Sequence, residues 1–100
     1  MQNKIKKSFG FAGFKKSLDT ADIMNIVVRK NFRNKGIGKK LLDFLLKEAK
    51  KENIKVVFLE VNKDNLPALK LYKNLGFKEI GIRKNYYQNS DGINMKIELD

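Results

Sequence analysis

The chain of 100 residues has no cysteine, no histidine and no tryptophan, and only one proline. These absences exclude disulfide bonds, thiolate nucleophiles, histidine bases and the usual transition-metal ligands. We therefore expect no metal, and catalysis must use carboxylates, tyrosines, lysines or backbone amides. No apolar run approaches the roughly 18 residues that suggest a membrane span, and residues 1–16 lack the apolar segment of a secretory signal. The sequence predicts a cytoplasmic protein without a membrane partner.

Negative charge is also scarce, because 11 aspartates and glutamates face 22 lysines and arginines, which leaves a formal charge of +11. Such a chain is expected to meet an anionic partner. The only arginines are Arg29, Arg33 and Arg83, so bidentate binding of phosphates or bases by arginine is not expected to dominate. The length and the apolar content of 42% predict one domain over residues 1–100.

The first half of the chain predicts a hairpin followed by a β-α-β unit. Segments 8–16 and 21–30 favour strands joined by a turn, and from Ile37 apolar residues recur at helical spacing. The predicted buried face of this helix is Leu41, Leu42, Leu45, Leu46 and Ala49. A β-branched strand follows from Ile54, and a helix of this length joins parallel strands. The fold class is therefore mixed α/β.

The second half predicts a shorter helix and a closing hairpin. Asp64 or Asn65 is placed to cap a helix from about Leu66 to Leu75. Residues 77–83 and 94–100 favour two strands, with the polar segment between them as a loop. The complete prediction is a β-α-β-α-β-β core after an initial hairpin.

The segment "RNKGIGKK", Arg33 to Lys40, lies where the first helix begins. Unpaired amides and the positive end of the helix dipole attract phosphate there, and two glycines let the backbone approach an anion. An ordinary turn before a helix is equally compatible with two glycines. Known nucleotide loops do not fit: Lys40 replaces the hydroxyl residue of a Walker loop, and Leu41 replaces the third glycine of the dinucleotide motif.

The segment resembles the acetyl-CoA loop of the GNAT family of N-acetyltransferases, Arg/Gln-x-x-Gly-x-Gly/Ala, between a strand and an amphipathic helix. A second family pattern, N-x-x-A-x-x-L-Y-x-x-x-G-F, is present at Asn65, Ala68, Leu71, Tyr72, Gly76 and Phe77. From about residue 8 onward the resemblance is continuous. The tail "IRKNYYQNSDGINMKIEL" is similar to the RimI branch, which acetylates the N-terminal alanine of a small-subunit ribosomal protein.

The resemblance implies a binding site for acetyl-CoA as cosubstrate. The backbone of Ile26, Val27 and Val28 would bond the pantetheine arm as an added strand, and Asn65 would contact the cosubstrate again. The pyrophosphate would be held by the loop residues Arg33, Asn34, Lys35, Gly36, Ile37, Gly38 and Lys39. Splayed parallel strands expose edge groups that an amide-bearing ligand can satisfy, which agrees with this arrangement.

Glu60 is the carboxylate in the strand that begins at Ile54. Period-two alternation puts it on one face with Ile54, Val56 and Phe58, so we expect it to be partly withdrawn from water. From the residues alone it could equally lie exposed or pair with a lysine. The resemblance implies that Glu60 is the general base for the amine, and that Tyr72 is the general acid for the departing thiolate. Tyr72 alone would also suit a core aromatic.

The resemblance implies a protein N-terminal amine as the acceptor. The pKa of an α-amine, near 8, favours it too, because a lysine side chain with a pKa near 10.4 would cost roughly 3 kcal/mol more to neutralise at pH 7. Three alternatives keep other functions open: a small-amine acetyltransferase, a noncatalytic CoA-binding fragment, and a basic nucleic-acid-binding module. The last would use aromatic residues such as Phe9, Phe11 and Phe14 for base stacking, and it explains fewer of the motifs.

Family members usually begin with a strand, two helices and another strand before such a hairpin, so the resemblance leads us to expect a domain that is incomplete at its N-terminus. Those elements form one side of the acceptor groove, so cofactor binding is better supported than turnover. An exposed sheet edge is also expected, which suggests a homodimer. Light scattering across a concentration series would contradict the dimer if it gave a monomeric mass throughout.

Overall fold

The computed structural model describes residues 2–7, 10–28 and 36–99, with side chains for 13–23 and 36–99. Six strands form one mixed sheet in the order β1-β2-β3-β4-β6-β5. This arrangement confirms the predicted mixed α/β class. The elements are β1 Gln2–Lys7, β2 Gly10–Ser17, β3 Thr20–Val28, α1 Ile37–Lys51, β4 Val56–Asn62, α2 Leu66–Leu75, β5 Lys78–Tyr87 and β6 Ser90–Glu98.

The predicted initial hairpin is present as β2 and β3, which pair antiparallel. Its turn includes Leu18, which is 90% exposed and has a φ of 54°. The hairpin is not the first element, however, because β1 pairs antiparallel with β2 along its outer edge. The prediction missed β1 because its residues are mostly polar and Ile5 is its only strongly apolar residue.

Helix α1 has the predicted apolar face. Leu41, Leu42, Leu45 and Ala49 are fully buried, and Leu46 packs against the same cluster. The helix ends at the C-cap Glu52, and Asn53 follows with a positive φ of 61°. Since burying a leucine side chain contributes about 1.5–3 kcal/mol, this face holds α1 firmly on the sheet.

Strand β4 alternates between a buried and a partly exposed face. Val57, Leu59 and Val61 point into the core beneath the helices, as expected. Glu60 therefore lies on the opposite face with Val56 and Phe58. Ile54 was wrongly grouped with them: it precedes the strand, its amide donates to the carbonyl of Ala49, and its side chain is buried.

Strands β3 and β4 are parallel, as the β-α-β pattern predicts. Their ladder joins Thr20 to Val56, Ala21 to Val57 and Asp22 to Phe58, and among the described residues it goes no further. Beyond this point each strand continues, β3 paired only with β2 and β4 paired only with β6. The sheet therefore opens between its two central strands.

Helix α2 has the predicted bounds, and its N-cap is Asn65 rather than Asp64. The side-chain oxygen of Asn65 accepts a hydrogen bond from the amide of Ala68 at 3.3 Å. Gly76 ends the helix with a φ of 108°, which glycine adopts at little cost. In the described part of the chain, neither helix combines the length and the apolar character needed to cross a bilayer.

The closing hairpin is longer than the sequence predicts. Segment 84–93, expected to be a loop, is mostly strand, and only Gln88 and Asn89 form the turn. The carboxylate of Asp91 accepts a hydrogen bond at 2.9 Å from the amide of Asn85, whose φ is 51°. This contact holds an irregularity in β5 that lies just before Tyr86 and Tyr87.

Candidate active site

A cleft of about 350 Å³ lies on the face of the sheet opposite the helices, where β3 and β4 separate. Its position follows from the short parallel ladder, because strands that part in mid-sheet leave a gap between them. Each of four strands contributes at least one polar side chain to its lining, and apolar side chains from β3 and β4 complete it. The lining residues are Asp22, Ile23, Phe58, Leu59, Glu60, Arg83, Tyr86, Tyr87 and Asn94.

The edge of β3 that faces this gap includes three residues assigned to the pantetheine arm. Ile26, Val27 and Val28 pair on their other side with Ala12, Phe11 and Gly10 of β2. They lie beyond Asp22, the last β3 residue that pairs with β4. Their position at an open strand edge is the one required for main-chain bonding to an extended ligand.

The carboxylate of Glu60 points into the cleft from β4. One of its oxygens, Oε1, is buried and has no hydrogen-bond partner among the described residues. The nearest cation is Arg83, whose Nε lies 3.6 Å from that oxygen. The carboxylate is therefore charge-paired without a hydrogen bond to Oε1, and 18% of the Glu60 side chain is still exposed. Glu60 is thus positioned to accept a proton from a group that enters the cleft.

Tyr72 is held from the other face of the sheet by α2. Its ring packs edge-on against Phe77, with ring centroids 5.8 Å apart. Burial, and secondarily the charge of Tyr87, raises the pKa of Tyr72 above its ordinary value of 10.0. Burial, then the carboxylate of Glu60, and finally Tyr86 raise the pKa of Tyr87. Tyr87 therefore interacts electrostatically with both Glu60 and Tyr72.

The start of α1 provides the second part of the candidate site. Gly36 caps the helix with a φ of 73° and a ψ of 12°, and among the described residues no side chain caps the first turn. The amides of Ile37, Gly38 and Lys39 precede the first intrahelical donor, which is Lys40 bonding to the carbonyl of Gly36 at 3.2 Å. With no acidic residue in the turn, this end has the electrostatics of an anion site.

The two glycines of this helix start differ in what they permit. A Cβ at Gly36 would meet nothing within 4 Å, so its positive φ is the reason for glycine. A Cβ at Gly38 would lie 3.4 Å from Leu71 of α2, an ordinary contact. Arg33, Asn34 and Lys35 lie outside the described residues.

A family comparison decides what this combination of loop, open sheet and carboxylate is. Residues 5–77 match the model of the acetyltransferase (GNAT) family. The chain belongs to that family. The match extends from β1 to Phe77, two residues after the end of α2, so it includes both the separating strands and the helix start.

Individual relatives agree with the family assignment. The chain is 40% identical over 86 residues to the [Ribosomal protein bS18]-alanine N-acetyltransferase of Escherichia coli strain K12, which covers 86% of this chain and 58% of that protein. The crystal structure of the ribosomal-protein-S18-alanine N-acetyltransferase from Escherichia coli matches with a TM-score of 0.90 at 31% identity. The match covers 99% of this chain and 70% of that one. The structure of a GNAT family acetyltransferase from Elizabethkingia anophelis with acetyl-CoA bound has a TM-score of 0.85 at 28% identity. The match covers 91% of this chain and 69% of that one.

Relative to the GNAT motifs, sequence reasoning missed several residues that line the cleft. Asp22 pairs with Phe58 and so joins Glu60 on the same face, although no motif includes it. Arg83 lies with its guanidinium carbon 4.8 Å from the ring centre of Tyr86, and Asn94 is opposite Glu60 in the ladder. Only the pairing register brings these residues together, and no local sequence pattern predicts that register.

Asn65 lies apart from these contacts. The side-chain oxygen of this residue caps α2, and the residue is exposed. Because the side-chain amide nitrogen is not part of the cap, it is available as a donor for an external group. The expected contact of Asn65 with acetyl-CoA thus stays a prediction.

Proposed function

We propose that this chain is an acetyl-CoA-dependent N-acetyltransferase that acetylates the N-terminal amine of a protein. The observation that carries the proposal is the partly buried carboxylate of Glu60, whose side chain is 18% exposed and lines a cleft between separating parallel strands. A proton acceptor at that place is what an amine acetyltransferase needs, because an amine is nucleophilic only after it loses its proton.

Acetyl-CoA would supply an acetyl thioester, and the described residues fit such a ligand in two places. The open edge at Ile26, Val27 and Val28 suits the amides of the pantetheine arm. The uncapped amides of Ile37, Gly38 and Lys39 suit a pyrophosphate, and Lys39 adds an exposed positive charge. Arg33, Asn34, Lys35, Gly36 and Asn65 complete the proposed contacts.

Glu60 would take the proton from the ammonium group of the acceptor, directly or through water. The side chain is 18% exposed where it lines the cleft, which leaves part of the carboxylate accessible to an entering amine. One carboxylate is better matched to an α-amine, with a pKa near 8, than to a lysine near 10.4. This difference favours an N-terminus as the acceptor.

Tyr72 would assist the departing sulfur by donating a proton or a hydrogen bond. Because burial raises the pKa of Tyr72, its hydroxyl keeps its proton at neutral pH. A free alkyl thiol has a pKa of about 8.5, so its thiolate is less basic than tyrosinate. Donation of a hydrogen bond from Tyr72 is therefore the first contribution expected.

The relative from Escherichia coli supports a protein N-terminal alanine as the substrate. That protein is named as a ribosomal-protein-alanine N-acetyltransferase and is 40% identical over the matched region. The chain spans only 58% of the length of that relative. Its own acceptor is therefore proposed from the cleft and the matched region together.

A small amine is the second candidate acceptor, and one contact favours it. Asp22 and Glu60 place two carboxylates on the same cleft, which suits a compound with more than one ammonium group. The similarity to alanine N-acetyltransferases nevertheless favours a protein N-terminus as the acceptor.

Competition between three acceptors tests the proposal. Thiol release from acetyl-CoA would be followed with a peptide that begins with alanine, with the same peptide blocked at its N-terminus but containing lysine, and with spermidine. We expect mass spectrometry to place the acetyl group on the α-amine of the first peptide. Transfer to spermidine alone would favour the small-amine function, and thermal protection by acetyl-CoA without any transfer would indicate a binding fragment.

A further inference from the structure

Gly92 of β6 lies directly beneath the side chain of Glu60. Its ladder partners are Asn62 on β4 and Arg83 on β5, so it separates the strand of Glu60 from the strand of Arg83. A Cβ built on Gly92 would be 3.1 Å from Oε1 of Glu60, and 3.2 Å from both Cδ and Cγ. These distances are shorter than the optimum near 3.5–4.0 Å for carbon atoms, so any larger residue would displace the carboxylate.

The backbone of Gly92 does not itself require glycine. The positive-φ glycines of the described residues are Gly36 and Gly76, and Gly92 is not among them. Glycine weakens the interior of a strand, and it often marks a place where another group approaches closely. The group that approaches Gly92 is the stem and carboxylate of Glu60.

The space above Gly92 also sets the direction of the Glu60 side chain. From β4 the side chain crosses β6 toward β5, which brings its Oε1 within 3.6 Å of Nε of Arg83. The same oxygen is buried and makes no hydrogen bond to the described residues. A methyl group at position 92 would press on this carboxylate and displace it by a few tenths of an ångström.

We propose that Gly92 is a positioning residue that lets Glu60 lie flat across β6, so that its carboxylate lines the cleft. The inference rests on the proposed role of Glu60 as the base. Glu60 accepts the proton, whereas Gly92 touches neither substrate nor proton and acts only through the carboxylate. A shift of about 1 Å in a reacting group can lower a rate roughly 100-fold, so the smaller displacement expected of this carboxylate should lower turnover by less than that.

A pair of glycine variants tests the proposal. Gly92→Ala adds one methyl group against the carboxylate, and Gly81→Ala adds the same methyl group on β5, where the nearest side-chain atom would be Nδ2 of Asn94 at 3.8 Å. We expect Gly92→Ala to lower kcat roughly 3- to 10-fold with the KM for acetyl-CoA unchanged. Gly81→Ala should stay close to the parent chain. Equal kcat values for the two variants would overturn the proposal.

A thermal cycle separates this geometry from the proposed chemistry. Gly92→Ala should lower the melting temperature of the parent chain, whereas in a Glu60→Ala background it should change the melting temperature little, because the obstructed side chain is gone. An equal loss in both backgrounds would mean that the methyl group meets something other than Glu60, and would overturn the inference. Full turnover by Glu60→Gln would instead overturn the base assignment, and the positioning role with it, even if the thermal coupling were present.

Discussion

The two halves of β4 have the same alternating pattern but different surroundings. Val56, Val57 and Phe58 have ladder partners on both sides, in β3 and in β6. Glu60, Val61 and Asn62 are paired with β6 alone. The closed half has its backbone groups used within the sheet, and the open half leaves one edge for an external group.

Strand separation, rather than strand composition, therefore creates the candidate site. The buried face is continuous through both halves, since Val57, Leu59 and Val61 all contribute to one core cluster. That continuity fixes β4 firmly enough to leave its second half unpaired on one side. The opposite face can then present Glu60 to a cleft without loss of the core.

The closed half is expected to govern stability. Val57 is fully buried, so Val57→Ala removes two methylene equivalents and leaves a cavity, at a cost of about 2–3 kcal/mol. The melting temperature should fall by roughly 10 °C or more. Calorimetry checks this, and kcat measured well below the new melting temperature should remain near that of the parent chain. A large loss of kcat would mean that the two halves are not separable.

Tyr72→Phe is expected to act on the open half from the helix side. It removes one hydroxyl and keeps the edge contact with Phe77, so the melting temperature should change little. Loss of a positioned proton donor should lower kcat roughly 10- to 100-fold. Steady-state kinetics check the rate. Unchanged kcat with a lower melting temperature would make Tyr72 a core residue only.

Gly36→Ala tests the helix start. A residue with a Cβ pays about 1–2 kcal/mol in the left-handed conformation that Gly36 adopts, so the turn that presents the α1 amides should rearrange. We expect the KM for acetyl-CoA to rise several-fold with a smaller change in kcat. Gly38→Ala is the matched control, because its methyl group would make only an ordinary contact with Leu71. If Gly38→Ala raised the KM more, space rather than φ would be the constraint.

The smallest expected effect is a pH dependence of stability. The unfolded chain releases the proton of Tyr72 near its ordinary pKa of 10.0, whereas the folded chain, in which that pKa is raised, keeps it. Stability should therefore fall as the pH rises through and above 10, by at most about 1.4 kcal/mol per pH unit from this group. Denaturation at pH 9 and pH 11 checks this, and Tyr72→Phe should show a shallower decline. Equal declines would contradict the burial of the hydroxyl.

Local patterns predicted the helices and the parallel pair well. Leucine spacing gave the buried face of α1, and the polar residues before Leu66 gave the N-cap of α2, resolved as Asn65. The resemblance gave the helix start and named Glu60 and Tyr72 as site residues. These features depend on residues close together in sequence, where spacing and capping are informative.

Contacts between distant strands were not predictable in the same way. The neighbours of Glu60 come from β5 and β6, and their register depends on irregularities such as the one that Asp91 holds at Asn85. A shift of one residue would turn Arg83 and Gly92 away from the carboxylate. The strand β1 was missed because polar residues form a strand only when a neighbour supplies the pairing.

The most direct test of the account is the acetyl-transfer rate of Glu60→Gln beside that of Glu98→Gln, with an alanine peptide as acceptor. Both variants replace a strand carboxylate by an amide, but Glu98 is exposed and its charge lies 3.4 Å from Lys96. We expect Glu60→Gln to lower the acetyl-transfer rate by roughly 100-fold or more, the scale of general-base catalysis, while acetyl-CoA still protects the variant against melting. The rate of Glu98→Gln should equal that of the parent chain. A Glu60→Gln variant as active as Glu98→Gln would contradict the account.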